Sequence, residues 1–436
     1  MKHNCPRNFE KSDSLYKRAL GSIPLASQTF SKSAMNWVKG ASPLFLSHGE
    51  GAYVWDPDGN RYIDYILGLM PLVLGYRDVD VDNAIVDQLH KGIIFSLPSE
   101  IEMELAEKLI DMVPSADMVR YGKNGSDVTT AAVRLARAFT GRDRIASCGY
   151  HGWHDWYIGT TTRDRGVPSV VKDLTSPFNF NDANSLEDLL RSAPDDFAGV
   201  ILEPEGVLEP DPEFLPAVRE LTEKFGVVLI FDEIISGFRA SNGGAQERYG
   251  VIPDLSVFGK ALGNGMPISA VVGRRDIMEL MTTIFFSGTF GGEALSLAAA
   301  VATLNKLSRL DAPSLFRNLN KKLRKGVGAA IDTNELASQV KIAGPDWWPR
   351  LVLSPPKGLD QTGFTSLLRQ ELIANGILMG AAFNFCTPHT DPTVLNESLQ
   401  AFERVFAKLK EYLLTPSPMS HLRGEQICPV FQVRGS

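Results

Sequence analysis

The hydrophobic positions of this chain follow two different periods in its middle part. Residues 101–112 and 126–140 place apolar side chains on one face at helical spacing. Short apolar runs bounded by glycine or proline lie further along, at residues 199–202, 227–231, 255–258 and 270–272. Such runs are typical of strands buried on both faces of a parallel sheet. The pattern predicts an α/β fold with a mostly parallel sheet between helices and ligand-binding loops at the carboxyl ends of the strands.

The two ends of the chain differ from this middle part. Within residues 50–66, apolar and polar positions alternate on both sides of Asp58-Gly59, which predicts a β-hairpin. Residues 364–375 and 396–413 have helical patterns and indicate a smaller α+β domain. The tail at 415–436 is rich in proline, serine and glycine, so we expect it to pack loosely or against a neighbour.

The hairpin also contains a candidate metal-binding pattern. Asp56, Asp58 and Asn60 resemble the beginning of a calcium-binding loop. Leu67 stands where such a loop needs a bidentate glutamate. These polar residues are therefore interpreted as turn residues, and no metal is expected.

Composition excludes several classes of function. The chain has 436 residues, enough for two or more domains, and a net charge of −7 without a long basic block, which argues against nucleic acid as the main partner. Its N-terminal residues lack the apolar core of a signal peptide, and its apolar stretches are too short to cross a membrane. Four scattered cysteines, Cys5, Cys148, Cys386 and Cys428, are expected to be reduced thiols in a cytoplasmic protein.

Two charged residues lie next to the apolar runs of the predicted sheet. Lys260 follows the run at 255–258, flanked by glycines, where desolvation lowers a lysine pKa and frees its amine as a nucleophile. Asp232 ends the run at 227–231, and a buried carboxylate needs a partner, either Arg239 or a cationic ligand. A reactive amine and a buried carboxylate are what a pyridoxal phosphate site needs.

Three further segments carry candidate site residues. Residues 121–127 form a glycine-containing turn before a predicted helix, which suits a phosphate, although Ser126 or Asp127 could serve only as a helix cap. Residues 149–156 cluster aromatic side chains that stack on a planar ring or pack in a core, and their two histidines are too few for a zinc site. Residues 286–294 place Thr289 in a glycine-rich turn, where it caps or shapes the turn in the simplest interpretation.

Taken together in this order, these segments resemble the class III aminotransferases, pyridoxal phosphate enzymes of fold type I, from about Gly40 to Leu413. The resemblance is greatest to the branch that contains glutamate-1-semialdehyde aminomutase. It implies a large cofactor-binding domain at residues 66–310 and a small α+β domain at 311–414, with residues 1–65 packing on the small domain and an extended tail at 415–436. It also implies a homodimer with a shared active site.

The resemblance assigns roles to single residues. Lys260 matches the lysine that forms a Schiff base with the cofactor, and Asp232 matches the partner of the pyridinium nitrogen. Ile234 and Tyr150 match the residues that pack on the two faces of the ring. The phosphate contacts match Gly125 and Ser126, together with Thr289 of the partner subunit. Glu203 matches an acid of the family's site, and Lys260 is also the expected proton carrier.

The chain departs from the aminomutase pattern at Lys32 and in the loop after Glu203, which reads Pro-Glu-Gly-Val-Leu-Glu-Pro, and both departures matter for the substrate. Lys32 aligns with the arginine that holds a substrate carboxylate, and lysine lacks the bidentate geometry of arginine. We therefore expect an aminotransferase that moves an amino group from an amino-acid donor to another carbonyl substrate, such as a keto-sugar or aminoglycoside-like intermediate. Stacking on a sugar by Trp37, Trp153 and Trp156 is one interpretation, and core packing is the other. The alternatives are an aminomutase, epimerase or lyase on the same scaffold.

Overall fold

The computed structural model describes residues 7–428. Cys5 lies outside these residues. The helices are α1 Glu10–Ala19, α2 Val79–Leu89, α3 Glu100–Met112, α4 Gly125–Thr140, α5 Asp155–Ile158, α6 Ser169–Lys172, α7 Ala183–Ser192, α8 Phe214–Phe225, α9 Ala245–Tyr249, α10 Arg275–Met278, α11 Ala294–Leu310, α12 Ala312–Thr333, α13 Gln361–Ala374 and α14 Pro392–Leu413. The strands are β1 His48–Glu50, β2 Tyr53–Trp55, β3 Arg61–Asp64, β4 Met118–Gly122, β5 Arg144–Cys148, β6 Thr175–Pro177, β7 Phe197–Leu202, β8 Val228–Asp232, β9 Leu255–Phe258, β10 Ser269–Gly273, β11 Val340–Ala343, β12 Arg350–Leu353 and β13 Ile377–Leu378.

The described chain divides into two compact units. One is built from both chain ends, residues 7–78 and 315–428, and the other from residues 79–314. The sequence analysis placed the limits of the large domain at 66 and 310, and those limits stay a prediction. In the part of the chain that the structure describes, no helix is long and apolar enough to cross a membrane.

The unit at residues 79–314 contains a seven-stranded sheet in the order β4-β10-β9-β8-β7-β5-β6. Neighbouring strands are parallel except β10, which runs antiparallel to both β4 and β9. This arrangement confirms the predicted fold class, an α/β fold with a mostly parallel sheet. Because β10 is reversed against both neighbours, the carboxyl ends of β4, β5, β7, β8 and β9 meet at one edge of the sheet.

Helices cover this sheet on both faces because successive strand residues point in opposite directions. On one face, Ile230 packs in a core with α4 residues such as Val128 and Leu135. On the other face, the next residue, Phe231, packs with residues of α7 and α8 such as Leu186 and Val218. Burial on both sides explains why these strands have continuous apolar runs and not alternating ones.

The unit built from the chain ends contains a four-stranded sheet in the order β1-β2-β3-β13. Strands β2 and β3 form the predicted hairpin, and β13 adds to it in parallel, so the last third of the chain extends a sheet begun by the first. Asp56 holds the turn, since its Oδ1 accepts hydrogen bonds from the backbone N–H of Asp58 and Asn60 at 3.0 and 2.8 Å. Asp56 therefore acts as a turn residue.

The described part of the tail is bonded to the N-terminal segment, although we expected loose packing or contact with a neighbour. The backbone N–H of Glu425 donates to the carbonyl of Lys39 at 3.1 Å, and that of Cys428 to Met35 at 2.8 Å. The tail expected at residues 415–436 continues beyond the described residues after 428.

Candidate active site

Five predicted site residues follow the carboxyl ends of strands at the shared sheet edge. Lys260 comes after β9, Asp232 ends β8, Glu203 follows β7, Tyr150 follows β5 and Gly125 follows β4. Loops at this edge of an open α/β sheet are where ligands bind. The topology therefore brings together residues that are up to 135 positions apart in the sequence, counted from Gly125 to Lys260.

Lys260 is held in an unusual backbone conformation at the centre of this group. Its φ of +38° lies in the left-handed region, which a residue with a side chain adopts only when the surroundings enforce it. Burial lowers the pKa of its amine to about 8, while the negative charges of Glu203 and Asp232 act in the opposite direction. A substantial fraction of the amine is therefore unprotonated near neutral pH and can act as a nucleophile.

Asp232 is paired with a histidine that the sequence analysis had considered only as a metal ligand. The Nδ1 atom of His151 lies 2.8 Å from Oδ2 of Asp232, and both side chains are buried. The other carboxylate oxygen, Oδ1, accepts a hydrogen bond from the backbone N–H of Ile234 at 3.1 Å. Arg239, the expected protein partner, is also buried, and its Nη1 donates to the carbonyl of Ile235 at 3.2 Å. The histidine directly after Tyr150 therefore fixes the carboxylate, a contact that the sequence analysis did not include.

Glu203 supplies a second carboxylate beside Lys260. Its Oε2 accepts a hydrogen bond from the backbone N–H of Tyr150 at 2.9 Å. Gly149 leaves the space for it, since a Cβ atom there would lie 2.5 Å from Oε2. Burial and the nearby charge of Asp232 raise the pKa of Glu203. Glu203 thus holds the loop that carries Tyr150 by a hydrogen bond and acts on Lys260 through its charge.

Ile234 fills the space that two glycines leave open. A Cβ atom on Gly125 would lie 3.3 Å from Cδ1 of Ile234, and one on Gly259 would lie 3.0 Å from the same atom. The isoleucine therefore lies against the start of α4 and against the segment that carries Lys260. It offers an apolar surface beside the reactive amine.

The start of α4 forms a backbone cradle. The first N–H groups of a helix lack partners within the helix and lie at the positive end of its dipole. The Asp127 carboxylate accepts hydrogen bonds from the N–H groups of Lys123 and Asn124 at 3.0 and 2.7 Å, so Asp127 completes the cap at the helix start, whose N-cap residue is Asn124. Gly152 approaches Ser126 so closely that a Cβ atom would lie 2.3 Å from its Oγ.

These residues fit pyridoxal phosphate on structural grounds. The cradle at Gly125 and Ser126 suits a phosphate, and the close approach of Gly152 keeps side-chain bulk away from it. The carboxylate of Asp232, fixed by His151, suits a protonated ring nitrogen. Lys260 supplies an amine whose pKa is low enough to react with an aldehyde. Within the described residues, no group of three or more His, Cys, Asp or Glu side chains could hold a metal ion.

Two further predicted site residues line other cavities. Thr289 is exposed in the loop before α11 and lines a cavity of about 450 Å³ with Lys123 and His154. Lys32 is exposed in the other compact unit and lines a cavity of about 360 Å³ there with Asp64. Neither residue is brought beside Lys260 within the unit at 79–314.

The tryptophans divide between core and surface. Trp156 is buried in the α4 core, where its indole N–H donates to Thr130 at 2.9 Å, so it offers no free stacking surface. Trp347 and Trp348 are also buried. Trp153 is 66% exposed, and Trp37 is partly buried under the Arg369 guanidinium. Of the three tryptophans considered for stacking on a sugar, Trp153 is the one that is both exposed and part of the unit that contains Lys260.

Comparisons with known proteins agree with this geometry. Residues 35–345 match the family model for class III aminotransferases. A 3-aminobutyryl-CoA aminotransferase from Cloacimonas acidaminovorans is 37% identical over 87% of this chain and 92% of its own length. A glutamate-1-semialdehyde 2,1-aminomutase from Methanothrix thermoacetophila is 34% identical over 91% of this chain and 96% of its own. The solved structure of the FumI protein from Sphingopyxis sp. MTA144, in its PLP internal aldimine form, superposes on this chain with a TM-score of 0.87 at 28% sequence identity. The superposition covers 95% of this chain and 100% of the FumI chain.

Proposed function

The chain belongs to the class III aminotransferases, pyridoxal phosphate-dependent enzymes of fold type I, and we propose that Lys260 is the residue on which its amino transfer depends. The observation that carries this proposal is the lowered pKa of the Lys260 amine, about 8, beside Asp232 and Glu203. The donor is an amino acid, the acceptor is a separate carbonyl compound, and the exchange proceeds in two half-reactions.

The other site residues have complementary roles in this proposal. The bound cofactor supplies an electron-withdrawing ring that stabilises negative charge on the substrate carbon. Asp232 holds a proton on the ring nitrogen, and His151 keeps that carboxylate in place. Gly125 and Ser126 bind the phosphate, while Ile234 and Tyr150 lie on the two ring faces. Lys260 would move a proton to and from the substrate carbon.

Reduction of the loaded enzyme with borohydride, followed by peptide mass spectrometry, tests the role of Lys260. Reduction fixes the cofactor to the lysine that carries it, so the modified peptide is expected to contain Lys260. Lys123, which also lies near the start of α4 but pairs with Glu293 at 3.0 Å, is the internal control. Modification of Lys123 or another lysine in place of Lys260 would overturn the assignment.

An aminomutase is the second candidate, because aminomutases are 34% identical over most of the chain. Lys32 weighs against it. A lysine is a poorer clamp for a substrate carboxylate than a bidentate arginine. Incubation with a single amino substrate separates the two: an aminomutase turns over without a keto acid, whereas the proposed aminotransferase stops after one half-reaction.

We also propose a homodimer in which Thr289 reaches the phosphate bound by the partner subunit. The loop that carries Thr289 is exposed and presents Phe285 and Phe290 with 82% and 59% of their surface accessible. Apolar side chains exposed to this extent favour an interface. Sedimentation is expected to give twice the chain mass. A Thr289→Ala variant that remains dimeric is expected to bind the cofactor more weakly, and unchanged binding would exclude this role for Thr289.

We also propose a cytoplasmic location, on the basis of the free cysteines. Cys148 and Cys386 are free and buried, and Cys428 is free and exposed. Free thiols are typical of reducing compartments. Fractionation of expressing cells is expected to place the protein in the cytoplasmic fraction, and recovery from a secreted or membrane fraction would contradict this location.

A further inference from the structure

A second cavity adjoins the candidate active site within the unit at residues 79–314. It has a volume of about 630 Å³ and lies at the carboxyl ends of β5, β6 and β7. Tyr150 and Glu203 belong to its wall and also to the candidate active site, so the cavity begins where the site of Lys260 ends. A ligand bound at Lys260 can therefore extend into it.

The wall of this cavity is mostly apolar. Phe178 and Phe180 come from the loop after β6, and Val207 and Leu208 come from the loop after β7. Val207 and Leu208 have 50% and 57% of their surface accessible, although single exposed apolar residues are common. Here they converge on one cavity beside a reactive amine, which is typical of a small-molecule pocket.

Two hydroxyl groups of the wall are engaged within the protein. The Tyr157 hydroxyl donates to the carbonyl of Gly149 at 2.7 Å, and the Thr160 hydroxyl donates to the carbonyl of Tyr157 at 2.8 Å. Among the described lining residues, Glu203 is the one with a formal charge, and it is negative. A second carboxylate of a substrate would meet repulsion here.

We infer that this cavity receives the uncharged apolar chain of the substrate, so that Leu208, Val207 and Phe180 determine specificity for long-chain or aryl carbonyl compounds. The inference rests on the proposed function, since the carbonyl carbon must lie at Lys260 while the chain points past Tyr150 and Glu203. It also identifies the amino acceptor by its chemistry: an aldehyde or ketone that carries a hydrophobic tail and no second carboxylate.

Straight-chain aldehydes from butanal to decanal, used as acceptors for the amino-loaded holoenzyme, test this inference. Each methylene that enters the cavity is expected to raise kcat/KM about fourfold, the effect of burying one CH₂ group. Leu208→Asp is expected to reduce the gain below about twofold per methylene. Gly206→Phe, at a position where a Cβ atom meets nothing within 4 Å, is expected to fill the cavity and reject decanal.

Val170→Asp is the matched control, because Val170 is 69% exposed in the same unit and does not line the cavity. It is expected to keep the chain-length dependence of the wild type. A flat aldehyde series in the wild type, or an unchanged slope in both Leu208→Asp and Gly206→Phe, would overturn the inference.

A binding measurement separates this inference from the proposed function. Octylamine and butylamine are titrated calorimetrically against the amino-loaded holoenzyme, which has no aldehyde for an amine to react with, so that binding is measured without turnover. The inference predicts that octylamine binds more tightly and that Leu208→Asp removes the difference, even if no acceptor is converted. Equal affinities for the two amines overturn it, whereas failure of every donor and acceptor with octylamine still bound contradicts the proposed function alone.

Discussion

Replacement of Gly152 by alanine tests whether the start of α4 is the phosphate site. A Cβ atom at this position would lie 2.3 Å from Oγ, 2.9 Å from Cβ and 3.1 Å from Cα of Ser126. Ser126 is buried on α4, so a short side chain and a helix backbone would have to move. The backbone φ of Gly152 is +103°, which adds strain for any residue with a side chain.

The two costs can be separated by a matched substitution. Gly166 has a similar φ of +94°, but a Cβ atom there would meet nothing within 4 Å. Gly166→Ala therefore carries the backbone strain alone, about 1–2 kcal/mol. Gly152→Ala carries that strain and an overpacking cost of about 1–3 kcal/mol. Urea unfolding of the two apoproteins is expected to show this difference in the free energy of unfolding.

The effect on the cofactor follows from the same displacement. Because Ser126 would be pushed away, Gly152→Ala is expected to weaken pyridoxal phosphate binding at least tenfold, the equivalent of about 1.4 kcal/mol, whereas Gly166→Ala leaves it unchanged. Fluorescence titration of the apoproteins measures both affinities. Wild-type affinity in a folded Gly152→Ala protein would refute the assignment of the phosphate to this helix start, and equal stabilities of the two variants would refute the clash.

Three further predictions concern the charged groups around the amine. The rate at which apoenzyme reacts with pyridoxal phosphate is expected to rise about tenfold between pH 7 and pH 9, because the Lys260 amine loses its proton around a pKa of about 8. Stopped-flow absorbance measures this rate, and a rate that does not change with pH would contradict the prediction. Glu203→Gln removes a negative charge that raises this pKa, so the midpoint of the same profile is expected to move to lower pH, and a shift to higher pH would exclude the coupling. His151→Ala deprives the buried Asp232 of a charge-assisted hydrogen bond and is expected to lower the free energy of unfolding of the apoprotein by about 1.5–3 kcal/mol. His389→Ala, another buried histidine whose Nδ1 contacts Cys386, is its control, and the account requires that pyridoxal phosphate adds less stability to His151→Ala than to the control, because His151 holds the carboxylate that faces the ring nitrogen.

The sequence predicted the parts of the fold whose signal is local. The runs at β7, β8, β9 and β10 were found within two residues of their observed limits, because strands buried on both faces are continuously apolar. Helix α4 begins at Gly125, one residue before its predicted start at residue 126. In contrast, β4, β5 and β6 were not predicted, since each is short and mixes polar with apolar residues.

Elements that depend on distant partners escaped the sequence analysis. Strand β13 has two residues, and what makes it a strand is its parallel pairing with β3, more than 300 positions earlier. Helix α12 contains Gly326 and Gly328, which weaken its local helix signal, and it was not predicted. The reversed direction of β10 likewise depends on neighbours and not on its own residues.

The same distinction holds for the candidate site. Lys260 and Asp232 could be selected because a charged residue directly after an apolar run is conspicuous in the sequence. The pairing of His151 with Asp232 could not, since the two residues are 81 positions apart and meet only when β5 and β8 lie in one sheet. A histidine inside an aromatic cluster was the available signal, and it indicated core packing as strongly as function.

The absorption spectrum of the loaded enzyme, recorded before and after addition of single amino donors, tests the central claim most directly. The account predicts a cofactor band near the visible edge that disappears in Lys260→Ala and that shifts when a suitable donor such as an amino acid is added to the wild type. It also predicts that a carbonyl acceptor restores the original band. A wild-type protein that develops no such band after addition of pyridoxal phosphate, or a Lys260→Ala protein with the same band as the wild type, would contradict it.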